Sequence, residues 1–137
     1  MRRTDQRRAA VFICYQRDVT GAPVEDLIAR REPDDEKAPS GSVTDFTREL
    51  VEGVDCTQEE LDELLEEHAI GWHVERIAPL ERAILRVAAF EILHRPDVPD
   101  EVAIDEAVET AKLYCGAQAP AFVNGILGGI LKKTKHV

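Results

Sequence analysis

Apolar residues along this chain recur every three or four positions and never alternate, so helices without a sheet are the expectation. The first run, Ala9–Tyr15, is apolar on every side for two turns and taken alone fits a buried strand or a helix. Flanking Gln and Arg residues favour a helix from Thr4, read as its cap, to about Asp18, stopped near Gly21. Pro23 then opens a short helix with Val24, Leu27 and Ile28 at helical spacing. Residues 32–42 (EPDDEKAPSGS) are dense in Pro, Ser, Gly and charge and read as a linker. Beyond it Phe46, Leu50 and Val54 mark one face of a helix. Thr57-Gln58-Glu59-Glu60 fits a capping box with Thr57 as N-cap of the next helix. That helix buries Leu61, Leu64, Leu65 and His68 and turns Glu59, Asp62, Glu63, Glu66 and Glu67 to solvent.

Trp72, the single tryptophan, lies with Ile77 in a short connection and is most simply a packing anchor. Pro79 suits the first turn of a helix over Leu80–His94, the most apolar segment, which Pro96 and Pro99 end. Ile104, Ala107/Val108, Ala111 and Tyr114/Cys115 keep a 3.6-residue period up to Gly116, placed as a stop. Pro120 opens the last helix, with Val123, Ile126/Leu127 and Ile130/Leu131 facing inward. The pattern predicts an all-α fold of about seven helices. It forms one domain over residues 1–137, with an N-terminal helical lobe of about 1–75 and a C-terminal lobe of about 76–137. A chain of 137 residues, 44% of them hydrophobic, can fill a single core.

Composition alters this picture through the charge. The net charge is −10, which on its face argues against nucleic acid, but it is unevenly spread. Residues 1–17 hold five arginines (Arg2, Arg3, Arg7, Arg8, Arg17) against Asp5, a local +4. Residues 18–75 carry −14, and residues 110–137 return to +4 through Lys112, Lys132, Lys133 and Lys135. Basic ends on an acidic body hint at a confined nucleic-acid contact. Arg3, Arg7 and, on an adjoining face, Arg8 lie one helical turn apart, so they could track phosphates on one strand. The competing reading is a solvated helix end.

Three cysteines (Cys14, Cys56, Cys115), odd in number and without a C-x-x-C, argue against a disulfide framework and suit a reducing cytoplasm. His68, His73, His94 and His136 show no metal-ligand spacing, so no metal is expected. The apolar run after Arg2-Arg3 has no A-x-A pattern and meets Gln16, Arg17 and Asp18 at once, unlike a signal peptide. No stretch approaches a membrane span, and a cytoplasmic protein without membrane partners is expected.

No enzyme signature emerges. Serine is limited to Ser40 and Ser42, and the helical carboxylates sit on solvent faces. Gly125-Ile126-Leu127-Gly128-Gly129 before Lys132-Lys133-Thr134 fails as a phosphate loop, because Leu131 stands where glycine must precede lysine. The GXXG of Gly125–Gly128 belongs to KH domains only with strands this chain lacks. These glycines read as small residues that permit close helix packing.

Several segments together resemble the NusB family of bacterial transcription antitermination factors. They are Arg7-Arg8-Ala9-Ala10-Val11 leading to Cys14-Tyr15, and Leu80-Glu81-Arg82-Ala83-Ile84-Leu85-Arg86 followed by Glu91-Ile92-Leu93. Then come Asp97-Val98-Pro99, Ile104-Asp105-Glu106-Ala107-Val108-Glu109, Ala111-Lys112 and Phe122-Val123-Asn124-Gly125-Ile126-Leu127. Order and spacing match over nearly the whole chain, most specifically in its C-terminal half. The resemblance implies a non-enzymatic all-α protein without a cofactor. It implies binding to boxA-type single-stranded RNA together with ribosomal protein NusE, in the RNA polymerase antitermination complex on ribosomal RNA transcripts.

By the same resemblance Arg2, Arg3, Arg7 and Arg8 would lie on RNA, and Phe122 would stack on a base. Lys112 and Asn124 fall in the same motif region, and Tyr15 and Glu81 match the NusE face. The residues leave other readings open. Phe122 adjoins Val123 and could be core, and Asn124 could hold a backbone group. Glu81 could pair with an arginine of its own helix, and Arg82 and Arg86 with neighbouring acids. Asp5, Ala121 and Gly128 depart from the family pattern and remove or offset local charge, which predicts weak unaided RNA affinity. The alternative function is a protein-binding helical adaptor without intrinsic RNA affinity. The RNA-binding lobe of a ribosomal RNA methyltransferase is the third reading; ending at Val137, the chain is expected to lack that enzyme's sheet.

Overall fold

The most apolar segment of the sequence becomes the central helix. The computed structural model describes residues 2–31 and 43–135, and the linker expected at 32–42 falls outside the described residues. These residues form α1 (Arg3–Thr20), α2 (Val24–Arg31), α3 (Asp45–His68), α4 (Pro79–His94), α5 (Asp100–Tyr114) and α6 (Ala119–Lys135). A 3-10 turn, Val74–Arg76, joins α3 to α4, and no strand occurs among the described residues. Helix α4 packs against α1, α3, α5 and α6, so every residue from Ala83 to Ile92 is buried in a core shared by all these helices.

Burial on all sides leaves the charges of α4 to be met by its neighbours. Arg86 makes a two-pronged bond to Asp62 of α3 at 2.8 and 2.9 Å. Arg82 donates to Asp18 of α1 at 2.5 and 2.8 Å, so both arginines find the acids expected of them. At the other end of the helix Glu91 accepts from Arg7 of α1 at 2.9 and 3.0 Å. Pairs 7–91 and 18–82 run in opposite directions along the chain, which makes α1 antiparallel to α4.

Punctuation falls largely where the sequence puts it. Pro79 opens α4, Gly21 (φ 74°) closes α1, and Gly116 (φ 90°) follows α5. Two caps differ. Thr4 lies inside α1 and donates to Glu106 of α5 at 2.9 Å, while Arg2 stands at the helix start. Thr57 does not open a new helix: α3 runs on through it with a kink (φ −115°, ψ 17°), and its hydroxyl donates back to the Gly53 carbonyl at 2.7 Å. The reason is packing. Phe46, Leu50, Val54, Leu61 and Leu65 are all buried, so one apolar stripe crosses the kink, and hydroxyl back-bonding of this kind bends helices without ending them. Among the described residues the count is therefore six α-helices and one 3-10 turn, close to seven. The N-cap of α3 is Thr44, whose hydroxyl accepts from the Thr47 amide at 3.2 Å.

Of the four glycines in α3 and α6, two serve close packing. A Cβ on Gly53 would stand 2.1 Å from the Phe90 ring, and one on Gly129 would meet the His68 ring at 2.6 Å. Gly125 and Gly128 face open space, contrary to the close packing expected of them. Gly53→Ala should cost about 1–3 kcal/mol through overpacking, read by urea denaturation. Combining it with Phe90→Leu, which withdraws the ring, should remove most of that sensitivity to position 53.

Candidate nucleic-acid interface

The basic start of α1 is less free than its composition suggests. Arg2 is exposed and 3.5 Å from Asp5. Arg3 is exposed too, with its guanidinium 3.9 Å from the centroid of the Phe46 ring, a cation–π contact. Arg95 reaches the same ring at 5.2 Å while bonded to Asp97 and Glu49, and those carboxylates raise its pKa. Arg7 turns inward. Only 7% of it is exposed, and its partner Glu91 is 1% exposed. Burial pushes the Glu91 carboxyl pKa up, and the Arg7 charge opposes that shift. The expectation that Arg7 tracks phosphate with Arg3 is thus corrected: a carboxylate in the core takes its guanidinium.

Arg8 is half-buried on the seam between α1 and α5. Thr4 bonds Glu106, and Phe12 meets Tyr114 edge-on at 5.3 Å, so residues 4 and 12 pair with residues 106 and 114. Both sets advance by two helical turns, which makes the helices parallel and places Arg8 between the two contacts. Its Nε is buried without a hydrogen-bond partner, as is Oε2 of Glu106.

A second locus forms where the first turns of α4 and α6 meet the 3-10 turn. Trp72, Arg76, Ile77, Glu81, Gln118 and Phe122 line a notch of about 340 Å³. Phe122 is neither core nor free: half-buried, it packs edge-on to Trp72 with centroids 6.4 Å apart and ring planes at 71°. Trp72 is 51% exposed, so it is a wall of this notch and not the interior anchor expected. Glu81 does not pair with Arg82 or Arg86, which are turned to Asp18 and Asp62. Partial burial raises the Glu81 pKa, and its charge in turn helps burial raise that of Cys115.

The notch therefore brings together Phe122 and Glu81, assigned separately to RNA and partner. Lys112 and Asn124 are exposed on α5 and α6 outside its lining, and Tyr15 is half-buried on α1. Glu81 and Glu91 mark opposite ends of α4, about 15 Å apart at 1.5 Å per residue, so the α1 start and the notch do not merge. Trp72, Arg76 and Gln118 were missed from sequence. The available signal was a tryptophan set between Gly71 (φ 84°) and His73, in a connection without apolar periodicity. Among the described residues no cluster of His, Cys, Asp or Glu could hold a metal, and no helix is long and apolar enough to cross a membrane.

Two measurements check this geometry. Arg7→Ala leaves Glu91 buried and unpaired and should cost about 3–5 kcal/mol in chemical denaturation, whereas Arg7→Met with Glu91→Leu should recover most of it. Arg3→Ala should cost about 1 kcal/mol or less. With a thiol reagent at pH 8, exposed Cys56 should react first and Cys115 more slowly. Cys14, whose pKa burial pushes up to about 12, should react only on unfolding.

The NusB family model matches residues 4–132. The chain is 46% identical over 129 residues to the transcription antitermination protein NusB of Rubrobacter xylanophilus, covering 94% of this chain and 89% of that protein. Thermotoga maritima NusB superposes with a TM-score of 0.83 at 30% identity, over 97% of this chain and 92% of that one. A chain from the crystal structure of antitermination factors NusB and NusE with double-stranded RNA shares the fold. Its TM-score is 0.78 at 23% identity, over 96% of each chain. Matched along almost its entire length, the chain belongs to the NusB family.

Proposed function

We propose that this protein is a transcription antitermination factor. In this reading it binds boxA-type single-stranded RNA of ribosomal transcripts, works with NusE within an RNA polymerase antitermination complex, and acts as a binding module and not a catalyst. The observation that carries the reading is the likeness to a transcription antitermination protein over 94% of the chain. The related fold solved with NusE and RNA supports the choice of partners. Arg2, Arg3, Arg8 and Lys112 would supply phosphate contacts, Phe122 a stacking face and Asn124 a polar contact. Tyr15 and Glu81 would meet NusE. Arg7 would act one step back, holding α1 on α4 through Glu91.

The charge layout supports a role for a partner in this reading. With Arg7 buried, the basic start of α1 keeps Arg2 and Arg3 exposed, against a net charge of −10 for the chain. A second protein would add contacts and offset the acidic body.

Fluorescence anisotropy with boxA-like and scrambled RNA, with and without NusE and at several salt concentrations, tests the reading. Arg2→Ala with Arg3→Ala should weaken every RNA and flatten the salt slope by about 0.7 per lost phosphate contact. Phe122→Ala should weaken binding without changing that slope. Glu81→Ala should weaken the NusE complex while leaving the melting temperature nearly unchanged. Equal, negligible affinity for both RNAs even with NusE present would overturn the reading and leave the protein-binding adaptor.

A further inference from the structure

The single tryptophan of a small protein is normally placed where its apolar bulk is covered. Here Trp72 is 51% exposed and forms one wall of the notch whose other wall is Phe122. Two rings at 71° with centroids 6.4 Å apart make a corner, not a sandwich. A flat group laid on one ring of such a corner meets the other at a near-perpendicular angle. Both approaches are favourable for an aromatic guest, since stacked and edge-to-face contacts each exploit the ring quadrupole. At about 340 Å³ the notch has the size of a small-ligand site.

The polar residues around the corner indicate which guest fits. Glu81 lines the notch, and its partly buried carboxylate repels a phosphate from the interior. Arg76 and Gln118 also line it, and both are exposed. The guanidinium can hold a phosphate at the rim. The amide offers both a donor and an acceptor to the edge of a base. Anion kept out, aromatic plane drawn in and hydrogen-bonding groups at the margin describe an unpaired base with its backbone left outside. An aliphatic side chain from a protein would use the apolar walls but leave the amide and guanidinium without a purpose.

We propose that Trp72 and Phe122 together form a pocket for one unpaired RNA base, with Trp72 as a second stacking residue. This rests on the reading of the protein as an RNA-binding factor and adds to it a binding residue and a subsite. Base–aromatic stacking comes from the π-face of the base, so the subsite favours unpaired over paired RNA and tolerates a change of base.

Because Trp72 is the only tryptophan of this chain, the chain's own tryptophan emission reports on this pocket, read against a NusE-only blank. Titrating the intact protein, with NusE present, with a boxA-like single-stranded RNA should quench the emission along the same curve as the anisotropy of labelled RNA. Trp72→Ala should weaken that RNA by about 5- to 150-fold with an unchanged salt slope, and Trp72→Phe should restore most of the affinity. Circular dichroism melts of both variants show that the fold is kept. If Trp72→Ala binds RNA as the parent does while Phe122→Ala does not, the proposal falls and the RNA reading stands. If Trp72→Ala weakens NusE binding and not RNA binding, the notch is a protein site and the proposal falls. If no RNA binds even with NusE, both fall together.

Discussion

A helix buried on every side cannot leave its charges to water, and the arrangement of this protein follows from that constraint. Between Ala83 and Ile92 of α4 lie one arginine and one glutamate, both inside. An isolated ion there would cost several kcal/mol, so each dictates what its neighbour brings. Asp62 of α3 meets Arg86, and Arg7 of α1 meets Glu91. Asp18, within 3.5 Å of Arg86, also holds Arg82 at the first turn. Apolar burial itself is non-directional, whereas ion pairs require particular partners. Two charge pairs near opposite ends of the contact fix the register, and through α1 they place the basic start beside Phe46.

The same pairs redefine the charge that first pointed to nucleic acid. Of five arginines in residues 1–17, Arg7 is consumed by Glu91, and Arg17 is held by Asp55 and the Gly21 carbonyl. Arg8 sits half-buried on the α5 seam. A count of Lys and Arg along a sequence treats these as equal, whereas the fold sorts them by whether an acid waits within reach. Surface availability, not composition, sets the electrostatic footprint.

Much of the fold was legible because helices announce themselves by period and their ends by Pro and Gly. Pro79, Gly21 and Gly116 act as their local chemistry suggests. Thr57 misled because a capping box is a local signal, while the apolar stripe from Phe46 to Leu65 is a tertiary one and prevails. Arg7 was illegible as a core residue because its partner lies 84 residues away. A hint existed all the same: Glu91 stands in an otherwise apolar run, and an acid in such a place calls for a cation. Phe122 left stacking and core as open readings, and the structure lies between them: the residue is half-buried at the edge of a notch. Trp72 was assigned to the interior by residue type, although its flanks are those of an exposed connection.

These placements bear on how a chain with a net charge of −10 could hold a polyanion. At physiological ionic strength the Debye length is about 8 Å, so acids farther than that from an RNA contact are largely screened. Among the candidate contacts, Arg2 and Arg3 lie at one end of α4 and the notch at the other. Four phosphate contacts, from Arg2, Arg3, Arg8 and Lys112, would give a salt slope of only about 3 for a single strand. A slope this shallow means that charged contacts supply only a small part of the binding, and rising salt weakens that part further. Stacking does not depend on counterion release, so an aromatic corner keeps its contribution under conditions that erase the charged contacts. In the proposed reading, charge of this kind would steer encounter, and an unpaired base on the rings would decide what stays bound. A duplex keeps its bases stacked on one another and offers only the salt-sensitive part, so the proposed preference for single strands would rest on unpaired bases reaching the rings.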